Sequence, residues 1–351
     1  MKICQVVASW GEGGLEKHVL EVICGLQAAG HEVSLIGHPD WAAKLPAGVT
    51  LYPADFELPR FSFTLLRTLL RVFRYQRFDV VHAQANKAAS LVSMLKWFMA
   101  GSPVFVATLH NQKKRLSMFR GFDRVIAVSA QLAALLPDLP VTVIYNSVVT
   151  PSKRYSREQS LALAGFPDDL PVFCSVGRLV RAKGFDLLVE AWKGVPARLM
   201  IIGEGEDRLD LEQRIAAYEF QDRICLTGYR PDAAAVMAGC DGLVISSRNE
   251  GGPYTLGEAV LAGISVVATD VGIVREFLPE QLIVPVENIK GLNERLIWAS
   301  TNAVAWTLAM EPVRRHAELT LTTERMITAI IGVYTALLSD RGSATGRPGG
   351  R

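Results

Sequence analysis

Apolar residues in this chain fall in short unbroken runs and do not alternate with polar ones. Residues 2–9 (KICQVVAS), 32–37 (EVSLIG), 49–52 (VTLY), 79–83 (DVVHA), 103–108 (PVFVAT), 124–129 (RVIAVS) and 141–146 (VTVIYN) form one series. A second series comprises residues 172–176 (VFCSV), 199–203 (LMIIG), 223–229 (RICLTGY), 242–245 (GLVI) and 264–269 (ISVVAT). Runs of this length bounded by turn residues read as strands buried on both faces. Between them lie segments of helical period, among them residues 14–29, 63–76, 87–99 and 185–193, and the last third is helical to about residue 338. Strand, glycine turn, helix, strand is a βαβ unit and requires a parallel sheet. The pattern predicts an α/β chain with two such domains. One spans residues 1–150 and the other 171–338, with the last helices free to pack back on the first domain. Residues 151–170 are polar and broken and read as the linker. Residues 339–351 nearly lack apolar side chains and read as a disordered tail.

Length supports the same division, since 351 residues favour two domains. Half the residues are apolar and the net charge is only +2, which argues against a dedicated nucleic-acid binder. The charge is unevenly spread. Residues 60–124 hold 12 Lys/Arg against only Asp79 and Asp123. The segment 63–76 sets Leu65, Leu66, Leu69, Leu70 and Phe73 beside Arg67, Arg71, Arg74 and Arg77. Such a helix either packs with a solvated arginine face or lies on anionic lipid. Lys113, Lys114 and Arg115 add to the same excess. Five cysteines, odd in number and without a C-x-x-C pair, read as buried thiols in a reducing compartment. No run approaches the roughly 20 apolar residues of a membrane span, and the first residues do not resemble a signal peptide. The expected location is the cytosol, with room for peripheral contact with the inner membrane.

The densest chemistry lies in Ser246-Ser247-Arg248-Asn249-Glu250-Gly251-Gly252-Pro253-Tyr254-Thr255-Leu256-Gly257-Glu258. A strand enters, a Gly-Gly-Pro turn breaks it, and a helix follows with Thr255 as the expected N-cap and Glu258 in the first turn. Amides at a helix start favour anionic or hydroxyl-rich ligands. Glu250 and Glu258 can each accept bidentate bonds from vicinal hydroxyls. Taken alone, the pair equally describes a helix start with a favourable acid. Arg178 and Lys183, in a loop after a strand, suit a diphosphate, or else are solvated loop cations. His82 and His110 fall at expected strand ends, where parallel sheets bind ligands. The turn Gly11-x-Gly13 is half of a dinucleotide fingerprint, but Glu16 stands where the third glycine belongs, and no acid follows the second strand. That sets a nicotinamide enzyme aside and leaves a turn where backbone approaches a ligand closely.

In this order the residues resemble the retaining glycosyltransferases of family four. The resemblance rests on Gly13-Gly14-x-Glu16, His110, Val176-Gly177-Arg178-Leu179 with Lys183-Gly184, Gly203-x-Gly205, Gly228, Glu250-x7-Glu258, and Gly263 through Thr269 with Gly272. It covers nearly the whole chain. It implies two facing Rossmann-like domains with a deep cleft, the glycosyltransferase B fold. It also implies that Arg178 and Lys183 hold the donor diphosphate, Glu258 the ribose, and Glu250 with the amides of Gly251, Gly252 and Tyr254 the transferred sugar. Gly13 and Gly14 would approach the phosphate, Gly228 and Tyr229 would flank the base, and His110 would sit beside the reacting centre. Three positions depart from the pattern: Gly252-Pro253 replaces a frequent Phe-Gly, Ser265 replaces a frequent proline, and Gly257 sits inside the helix. No Asp-x-Asp occurs, so cations and helix amides, not a metal, are the expected partners of the diphosphate. The expected activity is metal-independent transfer from a nucleotide-diphosphate sugar, with UDP as the guessed carrier. The acceptor would be a saccharide, lipid-linked, in lipopolysaccharide or envelope glycan synthesis. A sugar-nucleotide epimerase of the same fold and a non-catalytic membrane-associated partner are the alternatives.

Overall fold

The computed structural model describes residues 1–113, 115–149 and 153–345. The chain divides into two compact units, Met1–Ser147 with Thr322–Arg351, and Val148–Leu321. The division falls at residue 147, ahead of the stretch read as a linker. Of that stretch, Pro151 and Ser152 lie outside the described residues. Its helix Arg157–Ala164 is capped by the Ser156 side chain, which accepts from Gln159 N. That helix is part of the second unit.

The first unit is built on seven strands: β1 (Lys2–Val7), β2 (Glu32–Gly37), β3 (Thr50–Pro53), β4 (Val80–Gln84), β5 (Val104–Leu109), β6 (Arg124–Ala127) and β7 (Val141–Val143). They lie in the order β3-β2-β1-β4-β5-β6-β7, and every pairing is parallel. The second unit holds six: β8 (Val172–Val176), β9 (Arg198–Ile202), β10 (Ile224–Gly228), β11 (Gly242–Ile245), β12 (Ser265–Thr269) and β13 (Ile283–Val284). Their order is β10-β9-β8-β11-β12-β13, again all parallel. Each sheet reverses its strand order once, at β1/β4 and at β8/β11. In an open parallel sheet the crevice beyond the strand ends at that reversal is where ligands bind.

Each face of the first sheet carries its own core. On one face Leu65, Leu69 and Phe73 of the helix Phe63–Tyr75 pack among Phe56, Leu91 and Phe119. On the other, Val19, Ile23 and Leu26 of the helix Gly14–Ala28 meet Met326, Ile327, Ile330 and Tyr334 of the last helix, Thr323–Thr345. That last helix corrects the disordered-tail expectation. It runs on to Thr345, and Arg341 donates to Ser102 O (2.7 Å) and to Asp123 Oδ2 (2.8 Å). A helix with polar residues is retained here because one arginine closes backbone acceptors that the sheet leaves open. Residues 346–351 lie outside the described residues. Among the described residues no single helix is long and apolar enough to cross a membrane. Cys4, Cys174 and Cys240 are buried as expected, Cys225 is half-buried, and Cys24 is exposed.

Candidate functional site

In the second unit, three loops at the carboxyl ends of β8, β9 and β10 lie backbone against backbone. Gly177 N donates to Ile202 O (3.0 Å), Leu179 N to Glu204 O (2.8 Å), and Gly203 N to Gly228 O (2.9 Å). A Cβ on Gly203 would overlap the Gly177 carbonyl. The spaced glycines of this half are therefore required by close approach between loops. Arg178 stands on this shelf, exposed and with no side-chain partner among the described residues. Tyr229, directly after Gly228, is 55% exposed.

The loop after β11 is laced to the turn before the helix Phe185–Ala191. Arg248 N donates to Ala182 O (2.8 Å) and Ser246 Oγ to Lys183 O (3.0 Å). The Arg248 guanidinium grips both Asp186 oxygens (2.6 and 2.8 Å) and reaches Glu287 (3.0 Å). Burial pushes the Asp186 carboxyl up, but the Arg248 bonds and charge outweigh it and hold it below the usual range. Thr269 Oγ1, at the end of β12, donates to Ser247 O (2.6 Å). These ties bring Lys183 and Glu250 together. The two form an ion pair, and Ser247 Oγ donates to the same Glu250 oxygen (3.0 Å). The family resemblance implied that Lys183 and Glu250 hold different parts of a ligand. In this structure each is the other's partner. Arg248, Asp186 and Ser247 were not among the expected site residues. The signal for the clamp was a lone arginine in a loop and an aspartate opening a nearby helix.

The helix after the Gly-Gly-Pro turn spans Tyr254–Ala262, with Pro253 at its N-cap and no side-chain cap. Thr255 is thus inside the helix and Glu258 in its second turn, which corrects both placements. Proline's fixed φ sets the helix entrance where a hydroxyl cap was expected. Gly251 and Pro253 are buried, while Gly252, Tyr254, Thr255 and Glu258 are half-buried. Gly257 has a packing reason. A Cβ there would lie 2.6 Å from Val148 Cγ2 and 3.0 Å from Leu321 Cδ1. Val148 and Leu321 are the two ends of this unit, joined by Val148 N to Leu321 O (2.9 Å).

In the first unit the turn after β1 is tied down from several sides. Glu16 accepts from Gly13 N (3.0 Å) and from Ser9 Oγ, and Trp41 Nε1 donates to Ser9 O (2.9 Å). Lys44 Nζ donates to Gly11 O (2.9 Å). Glu16 is therefore the clasp of the turn. The Gly13 amide, given a ligand role by resemblance, is donated to Glu16. Gly14 opens the helix that follows.

His110 follows β5 and is buried, its Nε2 2.9 Å from Gln84 Oε1. Burial, with lesser help from His18 and His82, holds its pKa well below the usual histidine range, so it is neutral at physiological pH. His18 packs edge-on at 4.7 Å and is pulled down to about 4, chiefly by burial. His82 is not at a strand end. It lies in the middle of β4, fully buried between Tyr334 Oη (2.6 Å) and Thr108 Oγ1 (2.7 Å), and is pushed down to about 3. Its place is in the core, because β4 continues two residues past it, to Gln84.

The basic segment forms the helix Phe63–Tyr75, with Arg67, Arg71 and Arg74 exposed. None of the three pairs with an acid among the described residues. Large apolar side chains are exposed as well: Phe61 (76% exposed), Phe63 and Tyr75 at the ends of this helix, and Trp97 (82%) on the 3₁₀ turn Lys96–Phe98. Lys113 and Arg115 are exposed, and Lys114 lies outside the described residues.

Comparison with known proteins places both halves. The family described as Glycosyltransferase Family 4 matches residues 12–150, and that described as Glycosyl transferases group 1 matches residues 156–311. The chain is 27% identical over 272 residues to the lipopolysaccharide core biosynthesis glycosyltransferase LpsE of Rhizobium meliloti, covering 74% of this chain and 76% of that one. It is 29% identical over 321 residues to the phosphatidyl-myo-inositol mannosyltransferase of Mycolicibacterium smegmatis, covering 81% and 80%. Among solved structures, Anabaena Alr3699/HepE in complex with UDP superposes with a TM-score of 0.77 at 19% identity, over 96% of this chain and 100% of that one. A glycosyltransferase from Rickettsia africae gives 0.79 at 19% identity, over 96% and 98%. These structural likenesses speak to the fold, two parallel-sheet α/β domains of the glycosyltransferase B type.

Proposed function

The chain belongs to the glycosyltransferases, joining a family 4 amino-terminal part to a group 1 carboxyl-terminal part, and from that premise we propose that it moves a sugar from a nucleotide-diphosphate donor to a saccharide acceptor with retention of configuration. The observation that carries this reading is Arg178, an exposed cation without a side-chain partner, set on a glycine shelf at the strand reversal of the second sheet. A planar guanidinium in that position suits bidentate contact with phosphate oxygens. Lys183 adds a second positive charge and is already oriented by Glu250.

On this reading the leaving diphosphate is neutralised by Arg178, Lys183 and backbone amides, without a metal ion. Glu250, steadied by Ser247, takes hydroxyls of the transferred sugar, and Glu258 takes the ribose. Gly228 and Tyr229 flank the base, for which uracil is our choice. His110 is read, from the resemblance alone, as a neutral hydrogen-bonding group for a substrate hydroxyl. The donor phosphate accepts the acceptor's hydroxyl proton as the C–O bond to phosphate breaks and the new glycosidic bond forms on the same face. The acceptor we favour is lipid-linked, in lipopolysaccharide core or related envelope glycan synthesis. The names of the similar proteins support it. So do the unpaired arginines flanked by exposed Phe63, Tyr75 and Trp97, a combination suited to the cytoplasmic surface of an anionic inner membrane.

Thermal-shift measurements against a panel of sugar nucleotides test the donor. A ligand at 100 times its Kd adds about 2.7 kcal/mol of stability. UDP-sugars should raise the melting temperature of the wild type and not of Arg178→Ala. No shift with any sugar nucleotide would sink the reading. Isomerisation of the free donor without acceptor would point to the epimerase instead. Flotation with anionic vesicles at low salt tests the membrane contact, which should vanish when Arg67, Arg71 and Arg74 become Glu.

A further inference from the structure

Six polar side chains of the first unit form one buried hydrogen-bonded line, and its two glutamine amides give it a direction. His110 Nε2–H donates to Gln84 Oε1 (2.9 Å), and Gln84 Nε2 donates to Gln5 Oε1 (2.9 Å). Gln5 Nε2 donates to Tyr334 Oη (3.3 Å), Tyr334 Oη lies 2.6 Å from His82 Nδ1, and His82 Nε2 lies 2.7 Å from Thr108 Oγ1. All six residues are buried, five of them at 1% exposure or less. The line runs from His110 through β4 to β1, passes over Tyr334 of the last helix, more than 220 residues after His110 in the chain, and returns through β4 to Thr108 of β5. Apolar side chains would fill this space at lower cost, since buried polar groups are tolerated only when fully paired. What a directed line provides is orientation. Gln84 Nε2 also lies 3.5 Å from His82 Nε2; with its Oε1 turned to His110, the Gln84 amide places the His110 proton on Nε2. Directly after Gln84 the backbone turns through Ala85 in the left-handed region (φ 64), a conformation that costs a non-glycine residue energy and is retained where a side chain must be aimed.

We propose that Gln84 is a positioning residue that holds His110 in its neutral Nε2–H form, leaving Nδ1 to accept a hydrogen bond from a substrate hydroxyl, and that Tyr334 of the last helix sets the direction of the line. This rests on the reading of His110 as a catalytic group. Nδ1 has no partner among the described residues. The titratable groups facing the ring are His18, edge-on at 4.7 Å, and His82, both neutral. Reversing the line would require both amides and the tyrosine hydroxyl to turn together, and would make His110 a donor at Nδ1.

Long-range ¹H–¹⁵N spectra of the full chain decide the tautomer without any assay of turnover. The expected result is His110 protonated at Nε2 and bare at Nδ1, unchanged from pH 6 to 8.5. An Nδ1–H form, or the averaged signals of a free imidazole, would overturn the proposal. Tyr334→Phe should turn the single form into a mixture, and a spectrum identical to wild type would remove Tyr334 from it. Gln84→Met should lower kcat about a hundredfold through misorientation, with KM for the donor little changed. Gln84→Glu places a carboxylate at Nε2, favours the imidazolium, and should give kcat/KM a pH limb between 5 and 8 that the wild type lacks. A purely structural glutamine would give lower stability and no such limb. Undiminished turnover in His110→Ala would end the catalytic role of His110 while leaving the tautomer result standing.

Discussion

In the first unit, His110 after β5 is buried and neutral beside His18 of the first helix and His82 of the core, and Gln5, Gln84, His82, Thr108 and Tyr334 hydrogen-bond to one another behind it. At the carboxyl end of the second sheet, Arg178 is exposed and unspent, and Lys183 and Glu250 are a charged pair at the rim. The same strand reversal thus serves opposite purposes. One end excludes charge and fixes direction, which suits a group that must hydrogen-bond without titrating. The other concentrates charge on loops locked by backbone contacts, which suits an anion that must be bound and then released with more negative charge than it arrived with.

The largest expected effect tests the charged end. Arg178→Ala should lower kcat/KM by about 10²–10³, the cost of removing one oriented donor to a developing negative charge. Full activity would show that the exposed guanidinium serves only solubility. The neutral end is tested by acid. Unfolded histidines titrate near 6.5, whereas His18 and His82 are held at about 4 and about 3 in the fold. Their stabilisation is complete above pH 6.5 and is lost as pH falls towards the folded values. Each should cost about 1.4 kcal/mol per pH unit once well below 6.5. Chemical denaturation between pH 7 and 4.5 reads this out, and His82→Gln should flatten the slope. A stability flat over that range would contradict the buried neutral set.

Smaller effects sharpen the comparison. Gly257→Ala forces a methyl against Val148 and Leu321, and should destabilise the second unit by about 1–3 kcal/mol. Because Glu258 is the next residue, donor affinity should weaken with it, as isothermal titration would report. The least effect belongs to the exposed arginines. Arg71→Ala should weaken binding to anionic vesicles about fivefold, near the 1 kcal/mol of one cation at a charged surface, and leave activity on a soluble acceptor unchanged.

Much of the fold was legible because local patterning dictates it. Continuous apolar runs with glycine turns and helical segments permit only parallel sheets covered on both faces, and the strands fall where those runs lie. The placement of the glycine shelf, Arg178, Lys183, Glu250 and His110 in loops after strands was legible too, since each follows an apolar run that ends in a turn. The sequence did not disclose who partners whom. Lys183 and Glu250 lie 67 residues apart, Arg248 and Asp186 62, and Tyr334 and His82 252. Pairings across such separations leave no periodic trace, because they depend on which loops the sheet order brings together. The same limit explains the errors. His82 looked like a strand-end histidine because the apolar run stops before Gln84. Residues 339–345 looked disordered because the arginine that anchors them finds its acceptors more than 200 residues earlier. Sequence alone determined the strands, the turns and the kinds of side chain at the strand ends. Only the tertiary structure decided which of those side chains are bound to each other and which, like Arg178, stand exposed without a side-chain partner among the described residues, since burial and pairing are properties of the assembled sheet.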